Sequence, residues 1–134
     1  QIATAGAGFA AGFESTAVRH FTERDADNFR PHQLEVLYDF FTGKTEYWRL
    51  SPHPELVASH NVLLALPGRE CVAYFPRGGT NSVKLVSGSY EVEWLHAETG
   101  RYFRQPDLIV TDGGLEFAPP EHPNDDWVLH LRQK

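Results

Sequence analysis

The run from Ser89 to Phe103, SYEVEWLHAETGRYF, constrains the chain more than any other stretch. Tyr90, Val92, Trp94 and His96 alternate with Ser89, Glu91, Glu93 and Leu95. Successive side chains of a strand point to opposite faces, so this period of two, apolar on one side and mainly acidic on the other, predicts a half-buried β-strand. Ala97-Glu98-Thr99-Gly100 then predicts a reversal, with Gly100 supplying the positive φ of a tight turn. Arg101-Tyr102-Phe103 is the return. A Trp and two further aromatics on one hairpin can anchor a core.

Most of the remaining chain reads as cover for that hairpin. Val62–Leu66 and Cys71–Phe75 are apolar on both faces, as central strands are. Ser82–Val86 alternates with Val83 and Leu85 inward, and Trp127–Leu131 sets Trp127, Leu129 and Leu131 against Val128 and His130. Tyr47–Leu50, Glu55–Ala58, Leu108–Val110 and Leu115–Phe117 read as shorter extended pieces. Pro67-Gly68, the run 76–79, Ser87-Gly88 and 112–114 are turns, and Pro119, Pro120 and Pro123 make a stiff crossing. Short strands at such intervals predict a mainly β domain, a sandwich or barrel.

The first forty-odd residues do not fit that pattern. A short apolar start is followed by Gly6, Gly8 and Gly12. Their G-x-G-x-x-x-G spacing departs from the dinucleotide fingerprint, and no acidic residue follows at the required distance, so they read as a tight strand-to-loop turn. Residues 14–30 read as a solvated polar loop or a short helical turn. Pro31 to Thr42 is the one helix, with Pro31 at its first position and Gly43 as its stop. Leu34, Leu37, Tyr38 and Phe41 form its apolar stripe, which Phe40 widens.

With 134 residues the chain is long enough for one domain with a real core. A net charge of -6 with 12 scattered Lys and Arg excludes a phosphate-backbone partner, which needs clustered cations, so no nucleic acid is expected. One cysteine permits no intrachain disulfide, and no apolar window is long enough for a membrane span. The chain lacks methionine and begins at Gln1, which reads as a processed product or a piece of a longer protein.

Candidate chemistry is sparse. The seven histidines, His20, His32, His53, His60, His96, His122 and His130, have no metal-ligand spacing, and no metal or other cofactor is expected. Cys71 sits within a strand pattern and reads as a buried, inert thiol. Glu121, Asp125 and Asp126 in the Pro-rich loop are the residue types of a calcium site, and equally those that bond their own turn. No pair of acids can be nominated for glycosidic chemistry, so no catalytic residue is assigned. Glu14, after the glycine turn, is the one acid placed to touch a substrate in a cleft. Of Trp48, Trp94 and Trp127, at least two are expected in the core.

Four phrases also occur in a familiar order: Ala73-Tyr74-Phe75-Pro76-Arg77-Gly78, Trp94 through Gly100, Phe117-Ala118-Pro119-Pro120, and Asp126-Trp127-Val128-Leu129-His130-Leu131. They resemble the Y-x-P-x-G, W-Y-D-P-R-T-G, F-x-P-P and D-W-V-L-x-L motifs of the C-terminal domain named for collagen binding in proteins similar to family 140 glycoside hydrolases. His96 and Ala97 stand where that turn has an acid and a proline. The resemblance covers about residues 46–134 and implies an antiparallel β-sandwich accessory domain. It implies that residues 1–45 are the tail of a (β/α)8 barrel: last strand Ile2–Ala5, glycine loop and final helix. It further implies a secreted or cell-surface protein, a barrel in the same protein or a separate chain as partner, carbohydrate or matrix protein as ligand, and catalytic acids outside this chain. The alternatives are a piece of an active glycosidase with residues 6–15 lining its cleft, and a free-standing extracellular binding module.

Overall fold

A computed structural model describes residues 31–111 and 113–134. Among the described residues eight strands follow one helix: α1 (Pro31–Lys44), β1 (Ser51–Pro52), β2 (Val62–Leu66), β3 (Glu70–Phe75), β4 (Asn81–Lys84), β5 (Gly88–His96), β6 (Tyr102–Val110), β7 (Gly114–Phe117) and β8 (Trp127–Gln133). Six strands form one sheet in the order β1-β2-β3-β8-β5-β6, and β4 pairs with β7 in a second. Every pairing is antiparallel. The fold is mainly β and sandwich-like, as expected.

The core lies between the two sheets. Ala73, Phe75, Trp94, Trp127, Leu129 and Leu131 fill the inner face of the large sheet, and Val83, Leu115 and Phe117 close over it from β4 and β7. The alternation read from β5 and β8 is the alternation observed: Val92 faces Leu131 and Trp94 faces Leu129 across the ladder. Trp94 and Trp127 are buried and Trp48 is exposed.

The outer face of the sheet is covered in part by α1. Phe40 is buried there with Val72, Leu95 and Val128, flanked by Val36, Phe41, Leu50 and Tyr74. The helix therefore meets the sheet along Val36 and Phe40 rather than along the stripe through Tyr38, which points to solvent. Four-residue spacing stacks positions 36 and 40 on one side and 34 and 38 on another. The helix also runs one residue past Gly43 and ends at Lys44.

Three further details differ from the sequence reading. Residues Tyr47–Arg49 and Pro54–Leu56 form 3₁₀ turns, and the extended residues, Ser51–Pro52, fall between them. The return strand does not stop near Phe103 but continues to Val110. The register passes from Tyr90↔Leu108 to Val92↔Gln105, so β6 carries one extra residue beside Pro106. A proline, which cannot donate to a ladder, is tolerated because β6 is the sheet edge and is bulged there.

Two glycines hold turns that other residues cannot. Gly100 has φ +74, and a Cβ added there would lie 2.7 Å from Val36 Cγ2, so the β5–β6 turn packs closely against α1. Gly78 has φ +54, and its Cβ would lie 2.4 Å from Pro123 O, where the 76–79 turn meets the proline crossing.

Candidate functional site

Glu14, Gly6, Gly8, Gly12, His20 and the strand Ile2–Ala5 lie outside the described residues. The remaining sequence candidates are dispersed over the sandwich and bonded locally. In the 121–126 loop, Asp126 accepts from Tyr74 Oη at 2.7 Å and from the Arg77 N–H at 2.9 Å. Asp125 lies 3.0 Å from His96 Nε2, and Glu121 pairs with Arg101 at 3.4 Å. Each acid is used by a different partner, which is the turn-bonding arrangement rather than a cage converging on one ion. Among the described residues no group of three His, Cys, Asp or Glu side chains gathers to hold a metal.

His96 illustrates how such a residue is fixed. Its Nδ1 accepts the Thr99 N–H at 3.2 Å, so Nε2 carries the proton and donates to Asp125. Its ring stands edge-on to Trp127 with centroids 4.7 Å apart. His96 thus ties the β5–β6 turn to the loop before β8. Cys71 is buried, and desolvation pushes its thiol up to about 12, which keeps it unionised and unreactive at neutral pH.

Two features were not legible as sites. The first is a cavity of about 290 Å³ at the open end of the sandwich, bordered by His53, Leu56, Ala65, Lys84, Leu85 and Tyr90. At its rim Ser51 Oγ lies 3.2 Å from His53 Nε2, and His53 Nδ1 lies 2.8 Å from Glu55 Oε1. The hydrogen bond from His53 holds the Glu55 carboxyl below its usual range. The order hydroxyl, imidazole, carboxylate is that of a nucleophilic relay. Here Ser51 and Glu55 are exposed and all three residues lie within one five-residue stretch, so the chain of bonds braces the junction between β1 and the 3₁₀ turn.

The second is aromatic. Trp48 is 67% exposed and Tyr38 57%, the most open Trp, Tyr or Phe rings among the described residues. Tyr47 stands edge-on to Trp48 with centroids 5.3 Å apart. An ion pair of 2.7 Å between Arg49 and Glu46 flanks them. Large rings held in water with polar neighbours are the chemistry of a binding or docking surface, not of proton transfer. A sequence signal existed: Tyr47-Trp48 is an aromatic pair outside both the helix and the alternating strand runs.

The architecture defined by these residues, a β-sandwich with one helix laid on its outer face, occurs within larger enzymes. The structure is similar to part of a protein described as a glycoside hydrolase, with a TM-score of 0.67 and 13% identity, over 86% of this chain and 28% of that one. It is also similar to a glycoside hydrolase family 5 protein from Bacteroides vulgatus ATCC 8482, with a TM-score of 0.64 and 11% identity, over 76% of this chain and 24% of that one. This chain spans about a quarter of the length of either protein, and at these identities the likeness is one of fold. No protein-family model and no curated protein matches the sequence.

Proposed function

We propose that this chain is the C-terminal part of a glycoside hydrolase-like protein: an accessory β-sandwich, not catalytic by itself, that packs on a (β/α)8 barrel of the same protein or of a separate chain. The observation that carries this reading is the fold match to about a quarter of two glycoside hydrolase chains. The bonding of the acids supports it, since Glu70, the buried carboxylate among the described residues, is committed to His130 and to the Glu46 N–H. The four ordered motifs around Tyr74, Trp94, Phe117 and Trp127 favour proteins similar to family 140 glycoside hydrolases, with carbohydrate or matrix protein as ligand and a location outside the cell or at its surface.

The test is the coding frame upstream of Gln1 together with an activity assay. The expected result is an open frame encoding a (β/α)8 barrel, and a 134-residue chain that releases no product from aryl glycosides or polysaccharides. Glycoside hydrolysis by the chain alone, or a frame that opens with its own start codon just before Gln1, would overturn the reading.

A further inference from the structure

Helix α1 is apolar on more than the side that meets the sheet. Val36 and Phe40 face the sandwich. Leu34 and Tyr38, four apart, lie on the side turned away, and Phe41 joins the two sides along the flank. Neither Leu34, Tyr38, Tyr47 nor Trp48 belongs to a core cluster of the described residues. A surface helix normally turns charge outward, and a helix apolar around most of its girth is one enclosed between two layers.

The patch continues past the helix. Tyr47 and Trp48 follow its C-terminal end, with Trp48 the more open of the pair. Glu46–Arg49 at 2.7 Å and His32–Glu35 at 3.9 Å lie beside it. Aromatic and aliphatic anchors bordered by polar pairs are the anatomy of a protein–protein interface, with Trp and Tyr carrying most of its energy.

Two observations name the occupant. About three quarters of each matched glycoside hydrolase lies outside the shared fold, so a large body is available to cover an apolar face. The polypeptide enters α1 at Pro31, so whatever precedes it is tethered to this same helix at high effective concentration. We propose that α1 is shared by two layers: its Val36–Phe40 side packs on the sandwich, and its Leu34–Tyr38 side, with Tyr47 and Trp48, packs against the rest of the (β/α)8 barrel of a glycoside hydrolase-like protein, the barrel whose final helix the sequence resemblance makes it. This rests on the reading under Proposed function and assigns it a surface.

The test compares the 134-residue chain with the longer polypeptide that carries the barrel. Amide exchange over residues 34–50 slows by about tenfold or more in the longer polypeptide. Tyr38→Asp and Trp48→Asp abolish that protection and lower the thermal midpoint of the longer polypeptide, while the 134-residue chain keeps its own midpoint. Ile109→Asp, at a 75% exposed position on the β6 edge, changes neither. A barrel present upstream with unaltered exchange, or with both aspartate variants behaving as wild type, overturns this inference alone. Absence of an upstream barrel overturns the reading beneath it as well. Two results assign the face elsewhere and also overturn it: a dimer of the 134-residue chain that Tyr38→Asp dissociates, or retention on an insoluble polysaccharide that Trp48→Asp removes.

Discussion

On the inner face of the large sheet, Trp94 lies between Phe75 and Trp127, with ring centroids 5.8 and 6.1 Å away, and all three are almost wholly shielded. On the outer face, under α1, two of the deepest side chains are Glu70 and His130, joined at 2.6 Å beneath the ring of Phe40. The inner face is held by area and shape, which are non-directional and roughly proportional to the surface removed from water. The outer face adds to its smaller apolar cluster a set of polar groups that lose their worth when a partner is missing. The first kind stabilises the sandwich as a whole. The second decides where α1 sits and how its end is tied down.

The comparison predicts a ranking. Trp127→Ala removes the ring that touches Trp94, Phe103 and His96 at once, and with it the Nε1–H that donates to His122 O, leaving that carbonyl without its donor. It is expected to cost about 3–5 kcal/mol in urea unfolding, the range for large aromatic truncations in a core. A smaller loss than that of any outer-face variant would invert the ranking of the two faces.

Glu70→Leu is expected to come next, at about 2–3 kcal/mol, because it strands the groups that bond to this carboxylate. Those are His130, the Glu46 N–H at 3.0 Å and Arg132 at 3.5 Å. Arg132 also donates to Lys44 O, so the site reaches the last residue of α1. Adding His130→Leu should restore part of the loss, since it removes the buried imidazole left unpaired, while the Glu46 N–H and Arg132 still lack the carboxylate. Burial raises the Glu70 carboxyl, but the bonds from His130 and the Glu46 N–H, with Arg132 nearby, outweigh it and hold the group below its usual value of 4.5. The folded state therefore binds this proton more weakly than the unfolded state. Its contribution is present above pH 4.5 and is lost as pH falls below that value. Thermal melts of wild type against Glu70→Leu should converge on acidification; parallel curves would mean that the pair contributes no linkage.

A third variant addresses the contact between the faces. Gly100→Ala forces an L-residue into φ +74 and drives its Cβ against Val36 of α1. About 2 kcal/mol is expected, roughly half from the backbone and the rest from displacement of the helix. Shaving the contact with Val36→Ala in the same chain should make the Gly100→Ala change cheaper. Strict additivity would show that turn and helix do not press on each other.

What was legible in the sequence follows the same division. Alternation in Tyr90–His96 and Trp127–Leu131, and the apolar runs 62–66 and 71–75, foretold the inner face, because a strand repeats every two residues and burial leaves a local record. Nothing local records that Glu70 meets His130 sixty residues on, or that Lys44 meets Glu93 at 3.2 Å, since such pairs exist only after the sheet order is set. The end of β6 was missed because Pro106 reads as a breaker, and only edge position and a bulge excuse it. The orientation of α1 was missed because the helix is apolar on two sides, which makes the sheet-facing one ambiguous. The candidate site suffered most. Trp48 resembles the other two tryptophans by composition and differs only in lacking a strand pattern around it.

The smallest effect separates two kinds of ion pair on the same outer face. Beyond the reach of α1, Arg104 bridges Glu91 at 3.1 Å and Asp107 at 3.3 Å, and Asp107 also pairs with Lys134. These side chains are open to solvent, where Coulomb attraction is weak, ordering long side chains is costly and salt screens what remains. Arg104→Ala should therefore leave the unfolding midpoint within measurement scatter at low and high salt alike, although Arg104 lowers the Glu91 carboxyl through its hydrogen bond. Its consequence should appear elsewhere. β6 is a sheet edge, and charged side chains on an edge discourage pairing with another chain. Light scattering of Arg104→Ala at high protein concentration should rise above wild type with no change in stability. A loss of stability approaching that of Glu70→Leu would instead mean that the exposed ladder acts as a network, and that cover by the helix is not what separates the strong pairs from the weak ones.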